Sequence, residues 1–209
     1  MVNDIRPTRR DYFGVLADKL PKDALVVTCL GNASYLWAEM HHAPENFYFE
    51  DAMGLALPLA LGLALAQPSR PVFVVEGDGG LLMHLGTLVT IGAVAPQNLT
   101  VLLIQNGVHA ASGGQALTNA ELDLASLARS TAIGDAHNIT TPEEFGAALG
   151  STRGAKGARV LVLSTRPDIE VVRPPVTLDP VLTKHRFMSA IGAPRYVPTL
   201  FGGGRLERE

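Results

Sequence analysis

The sequence predicts an α/β domain whose sheet is mostly parallel and covered by helices on both faces. Three observations predict it. Near-continuous apolar runs of strand length, at 24–30, 72–75, 100–104 and 159–163, recur between helical patterns; strands buried on both faces read this way. Most of these runs end in turns of glycine and other small residues that lead into a helix. Glycine occupies 21 of 209 positions, with 47% hydrophobic and 18% charged residues, a composition of compact domains with many permissive loop positions. The length suits one domain, read as residues 1–165, followed by an extended tail over 166–209 with a short helix.

The elements follow in order. Residues 11–19 carry Tyr12, Val15 and Leu16 at helical spacing, with Leu20 next and Pro21 as the stop. After the strand at 24–30, Gly31-Asn32-Ala33-Ser34 is a tight turn feeding a helix at 35–40, an order that suits phosphate binding. Residues 47–49 form a short aromatic strand. Residues 52–66 form an apolar helix closed by Pro68 and Pro71; it falls short of the ~20 residues needed to span a bilayer and reads as buried. The strand at 72–75 runs into Glu76-Gly77-Asp78-Gly79-Gly80, with a helix at 81–93 behind it. The strand at 100–104 ends at Gln105-Asn106-Gly107. Helices at 122–129 and 142–149 precede a last strand at 159–163. Beyond 166 proline density rises, 184–190 is the only helical piece, and the Gly202-Gly203-Gly204 end reads as frayed or docked on a partner.

Several classes are disfavoured. Seventeen Lys and Arg against 20 Asp and Glu give a formal charge of -3, with no basic stripe for a nucleic acid. Cys29, the single cysteine, has no partner for an internal disulfide and reads as a small core residue. The first residues lack an apolar signal core, and no segment is long enough for a membrane span, so a cytoplasmic protein is expected. His41-His42 is not a zinc pair, because adjacent residues on a helix point apart.

The chemistry lies at the strand ends. In a parallel sheet Asp78 and Asn106, each at the end of a strand and joined by a helical crossover, arrive at one edge. Carboxylate and amide oxygens are hard ligands, and Mg²⁺ takes octahedral oxygen coordination completed by substrate phosphates. Asp78, Asn106, a loop carbonyl, two diphosphate oxygens and a water fill such a shell. Gly77, Gly79 and Gly80 let the backbone come close, with helix amides facing the diphosphate. The pattern is neither a Rossmann fingerprint nor a Walker loop, since the third glycine and the lysine are absent.

This constellation resembles the thiamine-diphosphate enzyme superfamily, whose motif is Gly-Asp-Gly followed at a distance by Asn. Met53-Gly54-Leu55, His84-Leu85-Gly86-Thr87-Leu88, Ala95-Pro96-Gln97-Asn98-Leu99-Thr100 and Gly113-Gly114-Gln115 are similar to the β subunit of sulfopyruvate decarboxylase and the matching domain of phosphonopyruvate decarboxylase. The likeness covers 31–114 and resumes weakly at Lys184-His185-Arg186-Phe187. It implies the diphosphate-binding domain of the thiamine-diphosphate fold, with Asp78, Asn106 and the Val108 carbonyl as Mg²⁺ ligands. Gly79 and Gly80 would give amides to the diphosphate, and the Asp51 and Met53 backbones would grip the aminopyrimidine. Met53 is either the bulky residue under the thiazolium or plain core. Gly31, Asn32 and Ser34 match, loosely, the loop at the distal phosphate.

The activity so implied is decarboxylation of a small 2-oxo acid, with the difficult chemistry carried by the cofactor. The superfamily's glutamate on the pyrimidine ring comes from a separate domain that is not found here. The resemblance therefore implies a pyrimidine-binding α-type subunit, a homo-oligomer, or both. Glu50 is the only local substitute, and an acid there also serves as a cap or a solvated group. His109 either meets a substrate carboxylate or carries a proton, or is a loop histidine bonded to backbone. Ser112 to Gln115 form either a gate over bound cofactor or a plain surface loop. His84 reads as packing or support behind the metal loop, and Trp37 as core or interface. Gly80 stands where Ser or Ala is usual, at a cost of up to ~1 kcal/mol relative to Ala inside a helix, and Gln105 stands where Asn or Asp is common. No residue is tied to a sulfonate or phosphonate. Rival readings are an acetolactate-synthase-like carboligase subunit and a cofactor-binding homodimer without catalysis.

Overall fold

The computed structural model describes residues 4–151, 156–167, 172, 178–193, 195–198 and 204–207. Helix α1 (Arg9–Lys19) is opened by a capping box between Thr8 and Asp11, which satisfies two of its orphan N–H groups. Strand β1 (Leu25–Thr28), helix α2 (Asn32–Met40), strand β2 (Asn46–Tyr48), helix α3 (Ala56–Ala66) and strand β3 (Val72–Gly77) follow. Next come α4 (Asp78–Met83), α5 (Gly86–Val94), β4 (Leu99–Gln105) and the two-residue strands β5 (Val108–His109) and β6 (Gln115–Ala116). The order continues with α6 (Leu124–Ser130), β7 (Asp135–Ile139), α7 (Pro142–Gly150), β8 (Arg159–Ser164) and α8 (Pro180–Ala190). β9 (Arg195–Pro198) and β10 (Gly204–Glu207) pair antiparallel.

Six strands form one sheet in the order β2-β1-β3-β4-β8-β7, and every pairing in it is parallel. Side chains alternate between its faces as the two-residue period requires. Leu25, Val27, Val72, Val74, Val101, Leu103, Val160 and Val162 join α3, α5 and α6 in one core. Val26, Phe73, Val75, Leu102, Ile104, Leu161 and Leu163 join α1, α2 and α7 in the other. Trp37 anchors this second core, fully buried with its ring edge-on to Phe13 at 5.5 Å, so it is core. α8 brings Phe187 into the first core, edge-on to Phe47 at 5.5 Å. Fully burying one such ring contributes about 1.5–3 kcal/mol. Among the described residues no helix is long and apolar enough to cross a membrane.

Five local differences from the sequence expectation have physical causes. α2 starts at Asn32, earlier than 35, because Gly31 at φ +76° turns the chain in one residue. α3 starts at Ala56 instead of 52, since Ala52 and Gly54 hold φ of +65° and +82°, outside any right-handed helix. The helix expected at 81–93 is two helices: bonds from Thr87 N–H to the His84 carbonyl and from Leu88 N–H to the Leu85 carbonyl tighten the chain between them into 3₁₀ geometry. β7 was not expected at all. Its residues Asp135, His137 and Asn138 hide the strand signal, which is tolerable because β7 is an edge with one neighbour. In the tail, α8 begins at Pro180, ahead of 184, where the Asp179 carboxylate accepts the Leu182 N–H at 2.8 Å. Gly202 and Gly203 lie outside the described residues, and Gly204 opens β10.

Candidate functional site

The chain leaves β1 for β2 on one side and returns to β3 on the other. That reversal opens a crevice beyond the carboxyl ends of the strands, where ligands bind in open α/β sheets. A cleft lies there, lined by Asn32, Met53, Gly77 to Gly80, Asn106, Val108 and His109 together with Arg9, Cys29 and Glu76.

Register explains why Asp78 and Asn106 meet. Gly77 is aligned with Ile104 across the β3–β4 pair, so both chains leave the sheet at the same level. Asp78 is 4% and Asn106 6% exposed. The Asp78 carboxylate accepts the Gly79 N–H at 2.9 Å and the Gly107 N–H at 2.8 Å, one on each oxygen. Asn106 Oδ1 accepts the Val108 N–H at 3.0 Å. Both side-chain oxygens are thus fixed by backbone, and each keeps lone pairs for a further partner. Burial pushes the Asp78 carboxyl above the ordinary range, and the N–H donors of Gly107 and Gly79 pull the other way. A divalent cation in the cleft would favour the charged form. Among the described residues no three His, Cys, Asp or Glu side chains gather as a cage. One carboxylate, an amide oxygen and a carbonyl suit Mg²⁺, which takes phosphates and water for the rest of its shell.

The other expected residues fall into two groups. Asn32, Met53, Gly79, Gly80, Val108 and His109 face the cleft, and the His109 ring packs on Gly79, where a Cβ would stand 2.7 Å from Cε1. Ala111 similarly lies over Gly31, whose φ of +76° admits no ordinary side chain. Ser34, by contrast, is fully buried, and its hydroxyl lies 2.8 Å from Thr28 Oγ1 and 2.9 Å from the Cys29 carbonyl. It braces the Gly31 turn from beneath. Asp51 is exposed beside the strained Ala52. Glu50 does not line the cleft; the Tyr35 hydroxyl donates to its Oε2 at 3.3 Å, and burial raises its pKa. His84 packs on Gly54, His41 stacks on Trp37 at 4.9 Å, and His42 Nδ1 lies 3.2 Å from the Tyr48 hydroxyl. Ser112 and Gln115 close their turn on each other, the Ser112 hydroxyl donating to Gln115 Oε1 at 3.2 Å. Gln105 donates to the Leu122 carbonyl at 2.8 Å and so ties the strand end to the segment before α6.

Sequence reasoning missed Arg9 and Glu76. Glu76 carried a signal, an acid terminating a fully apolar strand, and it is 1% exposed. Arg9 carried none, because only tertiary packing brings the first turn of α1 to this edge. It is 5% exposed. Burial pushes the Cys29 thiol up, which disfavours the thiolate at the cleft floor.

The thiamine pyrophosphate enzyme C-terminal TPP-binding domain matches residues 28–163. Phosphonopyruvate decarboxylase of Streptomyces viridochromogenes is 37% identical over 191 residues, 90% of this chain and 47% of that protein. Sulfopyruvate decarboxylase subunit beta of Methanococcus maripaludis is 31% identical over 184 residues, 88% of this chain and 97% of that subunit. The chain therefore spans about half of the first relative and nearly all of the second. Benzoylformate decarboxylase from Polynucleobacter necessarius shares the fold, with a TM-score of 0.68 at 20% identity over 78% of this chain and 34% of its own. From the aligned strand ends, the glycine-lined cleft and these relatives, the chain belongs to the thiamine pyrophosphate enzyme family, as its C-terminal TPP-binding domain.

Proposed function

We propose that this chain is the diphosphate-binding subunit of a thiamine-diphosphate- and Mg²⁺-dependent decarboxylase acting on a small 2-oxo acid. The observation that carries the reading is the pair of buried oxygen ligands, Asp78 and Asn106, fixed by backbone at the aligned ends of β3 and β4. Asp78, the Asn106 side chain and the Val108 carbonyl would hold the metal. Gly77, Gly79, Gly80 and the Gly31 turn would admit the diphosphate close to the backbone, while Met53 would support the rings from the cleft wall. Bound thiamine diphosphate supplies the electron sink for loss of carbon dioxide. This chain binds and orients it, and His109 stands at the mouth to meet the substrate carboxylate or move a proton.

A second subunit carrying the pyrimidine-side glutamate completes the site in this reading. Two facts support it: a relative of nearly equal length is named a beta subunit, and another is about twice as long. A third is local. Leu65 on α3, Met83 on α4 and Val89 on α5 are 54%, 56% and 59% exposed, apolar surface that a protein contact would cover. The test mixes the chain with thiamine diphosphate, Mg²⁺ and a panel of 2-oxo acids, with and without a candidate pyrimidine-binding subunit, and follows carbon dioxide. Release only with both subunits is expected. Release by the isolated chain would refute the half-site, and consumption of a second 2-oxo acid would point to carboligation instead.

A further inference from the structure

Glu76 is a buried acid for which the proposed function has no use. It sits at the penultimate position of β3, and its Oε1 accepts the Gly77 N–H at 3.0 Å. The Cys29 thiol and the Ala56 amide lie near the same carboxyl, whose Oε2 is buried without a hydrogen-bond partner of its own. α3 opens at Ala56 without a side-chain cap of its own, so a carboxyl from another strand stands at its first turn, where orphan amides and the helix dipole favour one. Cys29 follows β1, Gly77 opens the metal turn, and Ala56 follows the loop at 51–55. One carboxyl thereby meets the three segments that converge on the cleft.

The space around that carboxyl is full. A Cβ at position 80 would overlap Glu76 Oε1, stand 2.9 Å from its Cδ and lie 3.4 Å from the Gly54 nitrogen. A Cβ at position 54 would come within 2.6 Å of the Gly80 carbonyl oxygen. Gly80 has no left-handed φ that would demand glycine; the atoms nearest to an added Cβ belong to the Glu76 side chain and the Gly54 backbone.

We infer that Glu76 is a positioning residue that locks the metal turn at 77–80 to the loop at 51–55, and that position 80 is glycine because the Glu76 carboxyl occupies the place of its side chain. The interlock is a property of the chain without cofactor. Its effect on binding rests on the proposed function.

The test compares the full chain with Glu76→Ala, Gly80→Ala and the double variant, reading the thermal midpoint without ligand and the affinity for Mg²⁺ plus thiamine diphosphate by calorimetry. Gly80→Ala in the parent is expected to lower the midpoint by several degrees, roughly 2–4 °C per kcal/mol for a chain of this size, and to weaken binding about tenfold. In the Glu76→Ala background the same change should leave both readings within about twofold or a degree. Glu76→Ala alone should weaken binding about tenfold, while Glu76→Gln, which keeps the shape and the Oε1 acceptor, stays within about threefold. Equal losses from Gly80→Ala in both backgrounds would overturn the interlock. A lowered midpoint with unchanged affinity in Glu76→Ala would overturn the positioning role. If Gly80→Ala does not fold, recovery of a soluble chain by adding Glu76→Ala supports the inference, and failure of the double variant where Glu76→Ala folds refutes it. Should the parent bind no thiamine diphosphate, the proposed function falls, and the four melting curves still decide the interlock.

Discussion

Replacing Asp78 by Asn separates the metal-holding role proposed for this residue from its structural one. The carboxylate accepts two buried N–H groups, from Gly79 at 2.9 Å and Gly107 at 2.8 Å. An asparagine of the same size offers one acceptor oxygen and turns an NH₂ group toward the second N–H. One buried donor is left unpaired, a loss of about 1–3 kcal/mol. Removing a carboxyl whose ionised form is disfavoured by burial returns part of that, so the expected net destabilisation without ligand is about 1–2 kcal/mol. Metal binding suffers more, because a charged oxygen ligand becomes a neutral one and the best remaining ligand is another amide. We expect at least a hundredfold weaker binding of thiamine diphosphate in Mg²⁺, about 2.7 kcal/mol, and an affinity no longer raised by adding Mg²⁺. Urea unfolding and calorimetry with and without Mg²⁺ measure the two parts. Parent-like affinity that still depends on Mg²⁺ would refute the assignment of Asp78 to the metal.

Other expectations follow from the core and from the cleft floor. Burial lifts Glu76 from the ordinary 4.5 to about 7. The folded chain then binds this proton more tightly than the unfolded one, so the contribution is full below about pH 4.5 and is lost as pH rises through about 7, roughly 3 kcal/mol in all. Unfolding in EDTA across pH 5–8 should show that decline in the parent and lack it in Glu76→Gln; parallel curves would contradict it. Gly92→Ala would drive a methyl into the Thr131 carbonyl, 2.8 Å from its carbon, and should cost about 1–3 kcal/mol or more in overpacking; an unchanged urea midpoint would mean that α5 does not pack there. Arg159→Ala strips the partner from Asp135, whose Oδ2 lies 2.9 Å from Arg159 Nε with side-chain exposures of 7% and 3%. A loss near the lower end of about 3–5 kcal/mol is expected, since His137 still faces the other oxygen at 3.0 Å; a loss under about 1 kcal/mol would place the pair in solvent.

What could be read from residue order and what could not divide along physical lines. Buried strands announce themselves because both faces demand apolar side chains, and four of the six strands of the sheet lie in such runs. The Asp78 and Asn106 pairing was visible because a parallel sheet converts strand ends into neighbours without further information. β7 was hidden because an edge strand tolerates Asp135, His137 and Asn138. Asp135 stays buried beside His137 on its own strand and Arg159, a partner 24 residues away. The asymmetry is plainest at Gly80. Helix propensity, a local quantity, prices glycine there as a loss relative to alanine. The structure argues the other way, because the methyl that alanine would add overlaps the carboxyl of Glu76 near the end of β3. Local preference counts backbone entropy and leaves out the occupant of the adjoining space, so a position that looks like a weakness in the chain can be a requirement of the packed site.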